Sequence, residues 1–151
     1  MSIIIGEVSI PADDQGFVLL QCPLCGEFFK VRPRDYQADD VIEIWCPSCG
    51  LKAENYFTDD VLELAFKKTR NYAYDLIHNE LKQLERKFKG SFVSFKAGKK
   101  PTHEEEYPIN YGIEALEVIK YPCCKREAKI KPIYILCGSY CPFCGVRYEE
   151  Y

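Results

Sequence analysis

Two short cysteine turns, CPLCG at Cys22 to Gly26 and CPSCG at Cys46 to Gly50, constrain this chain more than any other feature. A CxxC turn sets two thiolates on one side of a tight loop. A second CxxC about twenty residues on completes a tetrahedron of soft ligands that suits zinc or iron. Proline after the first cysteine stiffens each turn, and Gly26 and Gly50 can take φ > 0 so that backbone amides point at sulfur. Free or disulfide-paired cysteines would leave the repeated Pro and Gly positions unexplained. A closed four-cysteine site is therefore expected at Cys22, Cys25, Cys46 and Cys49.

The pattern occurs twice. Aligned without gaps, CPLCGEFFKVRP at 22–33 lies over YPCCKREAKIKP at 121–132, matching Pro23 with Pro122, Cys25 with Cys124, Lys30 with Lys129 and Pro33 with Pro132. IWCPSCGLKAENY at 44–56 lies over SYCPFCGVRYEEY at 139–151, with an aromatic before the first cysteine in both. Such self-similarity marks a duplicated unit. The second copy departs from the first at one corner, where Tyr121 stands in the place of Cys22. Cys124, Cys141 and Cys144 remain aligned, and the fourth ligand falls to Cys137 or Cys123, with His103 a weaker candidate. Cys137 is favoured because neighbours such as Cys123 and Cys124 point apart on an extended backbone.

Nine cysteines in 151 residues would suggest disulfides in an exported protein. The odd number, the turn spacing and a Met1 to Ile10 stretch without a basic leader argue instead for reduced, metal-bound thiolates in the cytoplasm. The apolar run Ile3 to Ile5 is too short for a membrane span. Each cysteine-rich unit of roughly forty residues is too small to hold itself by apolar burial, so metal should contribute on the order of 10 kcal/mol to its folding.

Between the copies, Thr58 is a plausible N-cap, Asp59 and Asp60 suit the first turn of a helix, and the next breaker is Gly90. One helix is expected from about 59 to 89. Leu62, Phe66, Ala73, Leu76, Leu81, Leu84 and Phe88 fall near its period. At 1.5 Å per residue it would span roughly 46 Å, so it either bridges the two cysteine-rich units or pairs with a second copy of itself as a homodimer. Strands are expected at Ile3 to Ile10, Phe17 to Gln21, Val41 to Trp45 and Phe92 to Phe95, with the rest of 91–112 a loop and structure resuming at Ile113.

The net charge of −3 is unevenly spread: residues 67–100 hold 10 Lys/Arg against 3 Asp/Glu, whereas residues 1–66 hold 4 against 12. A metal tetrathiolate adds about −2 to each cysteine-rich unit, so contact with a polyanion must be local. The residues suited to it are Lys82, Arg86, Lys87, Lys89, Lys96, Lys99 and Lys100, although a charge run on a long helix is usually a solvated face. HExxH, GxSxG, Walker and dinucleotide signatures do not occur. His78 and His103 read as solvated residues. His103 and Glu105 ahead of CPxC resemble a deaminase motif only superficially, because prolines place them in a loop.

Taken together, Cys22, Cys25, Cys46 and Cys49, repeated in Cys124, Cys141 and Cys144, resemble the zinc-ribbon and rubredoxin-like class over about half the chain. The resemblance leaves the helix unassigned; with the helix read from the Thr58–Gly90 interval, the expected fold is α+β: two small β zinc ribbons, at 1–57 and 113–151, connected by a long helix at 58–90 and a connector at 91–112. The resemblance implies two zincs that hold shape and a non-enzymatic role in binding. The leading expectation is a protein-protein adaptor using the acidic ribbons and exposed aromatics such as Phe143, Tyr148 and Tyr151, while Trp45, also an aromatic beside a cysteine turn, reads rather as part of the small core. A DNA- or RNA-binding factor is the alternative, and a rubredoxin-like electron carrier the lesser one.

Overall fold

The computed structural model describes residues 7–109, 112 and 115–149. It divides into two units, one of residues 10–59 with 109–151 and the other of residues 1–9 with 60–108.

The first unit contains both cysteine-rich halves. Strands β1 (Val18–Gln21) and β2 (Phe28–Val31) form an antiparallel hairpin, and β3 (Glu117–Lys120) and β4 (Glu127–Ile130) repeat it residue for residue. The hairpins then join edge to edge. Lys30 pairs with Lys129 and Val31 with Ala128, giving one four-stranded sheet in the order β1-β2-β4-β3. Lys30 and Lys129 are the lysines that the sequence repeat aligns, so a local two-fold axis passes between them, as in an isologous dimer fused into one chain.

The symmetry extends beyond the sheet. Arg32 and Lys131, both extended, lead into the short helices α1 (Pro33–Tyr36) and α3 (Pro132–Cys137), each opened by a proline whose fixed φ suits a first turn. The Trp45 amide donates to the Pro142 carbonyl, and the equivalent Tyr140 amide donates to the Pro47 carbonyl, both at 2.9 Å. β5 (Ser139–Tyr140) pairs with β6 (Arg147–Tyr148), and the first half has the matching bridge between Trp45 and Lys52. A single core draws on both halves, with Leu20, Phe29, Val31, Ile44 and Tyr56 from one and Ile119, Tyr121, Ile130 and Phe143 from the other.

The two cysteine-rich halves thus share one sheet and one core. Each hairpin alone would leave an exposed strand edge and a half-covered apolar face, and pairing β2 with β4 closes both. The axis places two lysines side by side, and a single carboxylate answers them. Asp13 Oδ2 lies 2.6 Å from Lys129 Nζ and 3.4 Å from Lys30 Nζ. Its Oδ1 accepts the amides of Gln15 and Phe17, both at 3.0 Å.

The second unit is built on α2 (Asp59–Lys87), two residues shorter at its end than expected. Val61, Leu64 and Asn71 are its buried residues, whereas Phe66, Leu76, Leu84 and Phe88 of the anticipated apolar face are exposed. The following segment runs back along the helix. Glu85 receives the Ala97 amide, Asp75 meets Lys100 and His103, and Asn71 exchanges hydrogen bonds with the Glu104 backbone and donates to the Glu106 carboxylate. Polar pinning thus takes the place of apolar burial. No strand forms at Phe92–Phe95 or Val41–Ile44. Glu7–Ile10 is not a strand either, while residues 3–6, 113–114 and Tyr151 lie outside the described residues. Among the described residues no helix is long and apolar enough to cross a membrane.

Candidate metal centres and the basic cleft

Four turns carry the thiols, and all four have the same backbone. The amide of the first residue donates to the carbonyl five residues on, and the amide four residues on donates back: Cys22 to Glu27 and Gly26 to Cys22, Cys46 to Leu51 and Gly50 to Cys46, Cys141 to Val146 and Gly145 to Cys141. The turn beginning at Tyr121 has the same two bonds, Tyr121 to Arg126 at 2.9 Å and Lys125 to Tyr121 at 2.8 Å. Each turn needs a left-handed residue in its fifth position, supplied by Gly26, Gly50 and Gly145 at φ 78°, 70° and 71° and by Lys125 at φ 59°. The turn is therefore specified without a cysteine in its first position.

Two sulfur clusters result. The Sγ atoms of Cys22, Cys25, Cys46 and Cys49 lie within 4.8 Å of one another, as do those of Cys123, Cys124, Cys141 and Cys144. Cys25 to Cys46 is 3.6 Å, Cys22 to Cys49 is 3.9 Å and Cys124 to Cys141 is 3.6 Å. These separations match the edge of a tetrathiolate tetrahedron, about 3.8 Å for metal–sulfur bonds of about 2.3 Å, and are far too long for disulfides. Both clusters fit a metal ion.

The second cluster corrects the favoured fourth ligand. Cys137 closes α3 and is exposed, away from the cluster, and Cys123 takes the place instead. Alternation on an extended strand does not apply, because Pro122–Cys124 is a turn. Tyr121 fills the position of Cys22 with a phenol. Its ring is fully buried and its hydroxyl lies 3.1 Å from Ser139 Oγ, also fully buried. The sequence did hold a signal: the KP that aligns with the start of α1 continues the repeat into a helical turn, which carries Cys137 off.

Protonation follows the balance of burial against hydrogen bonding at each thiol, not its position in the turn. Burial opposes ionisation of Cys22, but the amides of Cys25 and Leu24 outweigh it and its pKa falls. Burial dominates at Cys46 and Cys141, which are pushed up despite amides from Cys49 and Ser48 in one case and Phe143 and Cys144 in the other. Burial and the neighbouring thiols raise Cys144 to about 11. Four thiols this close resist joint ionisation, and a bound dication reverses that resistance.

The aromatics expected to face a partner are mostly spent on the fold. Phe143 is in the core, Tyr148 packs against it, and the Trp45 ring lies over Gly145. Of the basic residues, Lys82, Arg86, Lys89 and Lys96 line one cavity of about 480 Å³ together with Phe88 and Phe95. Lys100 is paired with Asp75.

No family model, curated protein or solved structure matches the chain.

Proposed function

We propose that this protein is a zinc-dependent, non-enzymatic adaptor in which two structural zincs lock the double ribbon as a platform for a protein partner. The observation that carries the reading is the pair of four-thiol clusters on one sheet. Four thiolates fill a tetrahedral zinc and leave no open position for substrate, the mark of structural rather than catalytic sites. Large apolar side chains nonetheless stand in solvent on this unit, including Leu24, Ile42, Leu51, Leu136 and Val146. Exposed apolar surface on a rigid scaffold suits partner binding.

Native mass spectrometry of protein expressed with zinc tests the platform. Two zincs per chain are expected, and the same spectrum reports whether two chains associate. Iron that cycles between redox states would replace the adaptor with an electron carrier, since thiolate iron is coloured and redox-active while zinc is neither. The partner surface is tested by Leu51→Glu with Val146→Glu, equivalent positions of the two halves. Loss of wild-type partners from the variant, with both zincs retained, is the expected result.

A further inference from the structure

The end of α2 carries a feature that the double ribbon does not use. Lys82, Arg86, Lys89 and Lys96 converge on the cavity of about 480 Å³, whose walls include Phe88, Phe95, Ser91 and Ser94. Among the described residues, Glu85 is the one carboxylate on it, and it is engaged by Lys82 at 3.6 Å and by the Ala97 amide at 3.3 Å. Arg86, Lys89 and Lys96 make no ion pair among the described residues, and neither do Lys87 and Lys99 close by in sequence. Basic residues near a helix C-terminus offset its dipole, but that dipole amounts to about half a charge. Three unpaired cations converging on one cavity exceed it. A merely solvated basic face also leaves the aromatic residues unexplained: Phe88 is exposed, and Phe92 is as open to water as a side chain in an extended peptide.

We propose that this cleft binds single-stranded nucleic acid, with phosphates against Arg86, Lys89 and Lys96 and bases stacked on Phe88, Phe92 and Phe95. The cavity lies in the size range of a small-molecule site and accommodates one nucleotide. The rings and the further cations Lys87 and Lys99 provide for its neighbours. A duplex keeps its bases stacked inside and cannot offer them to phenyl rings, whereas a single strand can. The cleft lies wholly within residues 82–96, so the proposal stands or falls apart from the adaptor reading of the double ribbon.

The test is fluorescence anisotropy of a labelled twelve-nucleotide oligo(U) or oligo(dT) with the full, zinc-loaded chain across a salt series. Phosphate contacts at Arg86, Lys89 and Lys96 together with Lys87 and Lys99 give a log–log salt slope of about −3.5. Combined Arg86→Ala, Lys89→Ala and Lys96→Ala should flatten that slope by about 2. Phe92→Ala, at a side chain too exposed to affect folding, should weaken binding about tenfold and leave the slope unchanged. Unchanged helix content and zinc number confirm that both variants are folded. Several results overturn the proposal: no binding at low salt, wild-type affinity in Phe92→Ala, or equal affinity for duplex. Displacement by uridine monophosphate as effective as by the strand would make the cleft a nucleotide pocket. Equal displacement by polyglutamate would make it a site for acidic peptides.

Discussion

The two four-thiol clusters sit on equivalent turns of a duplicated sheet, yet they recruit their thiols differently. The first takes the first and fourth residues of both its turns, Cys22 with Cys25 and Cys46 with Cys49. The second does so only in the turn beginning at Cys141, and in the other takes the third and fourth residues, Cys123 and Cys124. The backbone hydrogen bonds are the same in both. The turn geometry is thus a property of the chain, and the ligand position within it is free to move. What changes is exposure: Cys22 is buried in the shared core while Cys123 faces solvent, its core position taken by Tyr121.

Ligand removal is the strongest way to break the comparison. Cys22→Ser should leave one zinc per chain and unfold the first half's turns, since a structural zinc contributes on the order of 10 kcal/mol. Cys123→Ser should also leave one zinc, but with a milder loss of stability, because Tyr121 rather than a ligand fills the core there. Cys137→Ser should keep both. Native mass spectrometry with thermal unfolding separates the three, and a Cys137→Ser variant that lost a zinc while Cys123→Ser kept two would reverse the assignment of the fourth ligand.

The sequence made the cysteine turns, the first cluster, the repeat and the long helix legible because each rests on local spacing: CxxC for the turns, the gapless alignment for the repeat, the Thr58–Gly90 interval for the helix. The joining of the hairpins was not legible. A β2–β4 contact pairs Lys30 with Lys129, residues nearly a hundred positions apart, and two lysines facing each other offer no attraction in sequence. The missing term is Asp13, which lies between the expected strands Ile3 to Ile10 and Phe17 to Gln21 and carries no mark of the lysines it meets. The fourth ligand is obscured for a related reason: side chains alternate on a strand, whereas Cys123 and Cys124 lie in a turn, where the repeat aligns them with Leu24 and Cys25.

Asp13 is the asymmetric element in a symmetric sheet, and its removal tests that asymmetry. Burial pushes its pKa up, but the hydrogen bond from Lys129 and the amides of Phe17 and Gln15 outweigh that and hold it at about 2 against an ordinary 3.8. A depressed carboxyl contributes stability above its unfolded pKa near 4 and loses it as pH falls towards 2, about 2 kcal/mol in all. Acid also protonates the thiolates and frees the metal, so the comparison belongs at neutral pH. Asp13→Asn should lower the urea stability of the zinc-loaded protein by about 2 kcal/mol at pH 7 with both zincs retained. An unchanged midpoint would mean that the lysine pair needs no counter-charge.

The glycines of the turns distinguish conformational from contact effects. A Cβ on Gly26 meets nothing within 4 Å, so Gly26→Ala should cost only its left-handed backbone, about 1 kcal/mol. On Gly145 a Cβ would lie 2.8 Å from the Trp45 ring, and on Gly50 2.9 Å from the Tyr140 ring, the same contact reflected through the axis. Overpacking adds to the backbone strain there, and Gly145→Ala and Gly50→Ala should each cost about 3 kcal/mol in thermal or urea unfolding. Equal losses at Gly26 and Gly145 would show that the rings move aside and that the aromatic before each knuckle is not packed on its partner's glycine.

The smallest effect has the opposite sign. Lys125 occupies the place of Gly26 in the turn that begins at Tyr121, and it holds φ 59° with a side chain. A left-handed non-glycine residue costs about 1 kcal/mol, and glycine removes that cost while adding some freedom to the unfolded chain. Backbone relief is the larger of the two where φ is positive, so Lys125→Gly should raise the urea midpoint by a few tenths of a kcal/mol to about 1 kcal/mol. A fall in stability would mean that the stem of Lys125 contributes packing beside Cys124 that glycine cannot replace, and the second centre would then depend on side chains where the first depends on backbone alone.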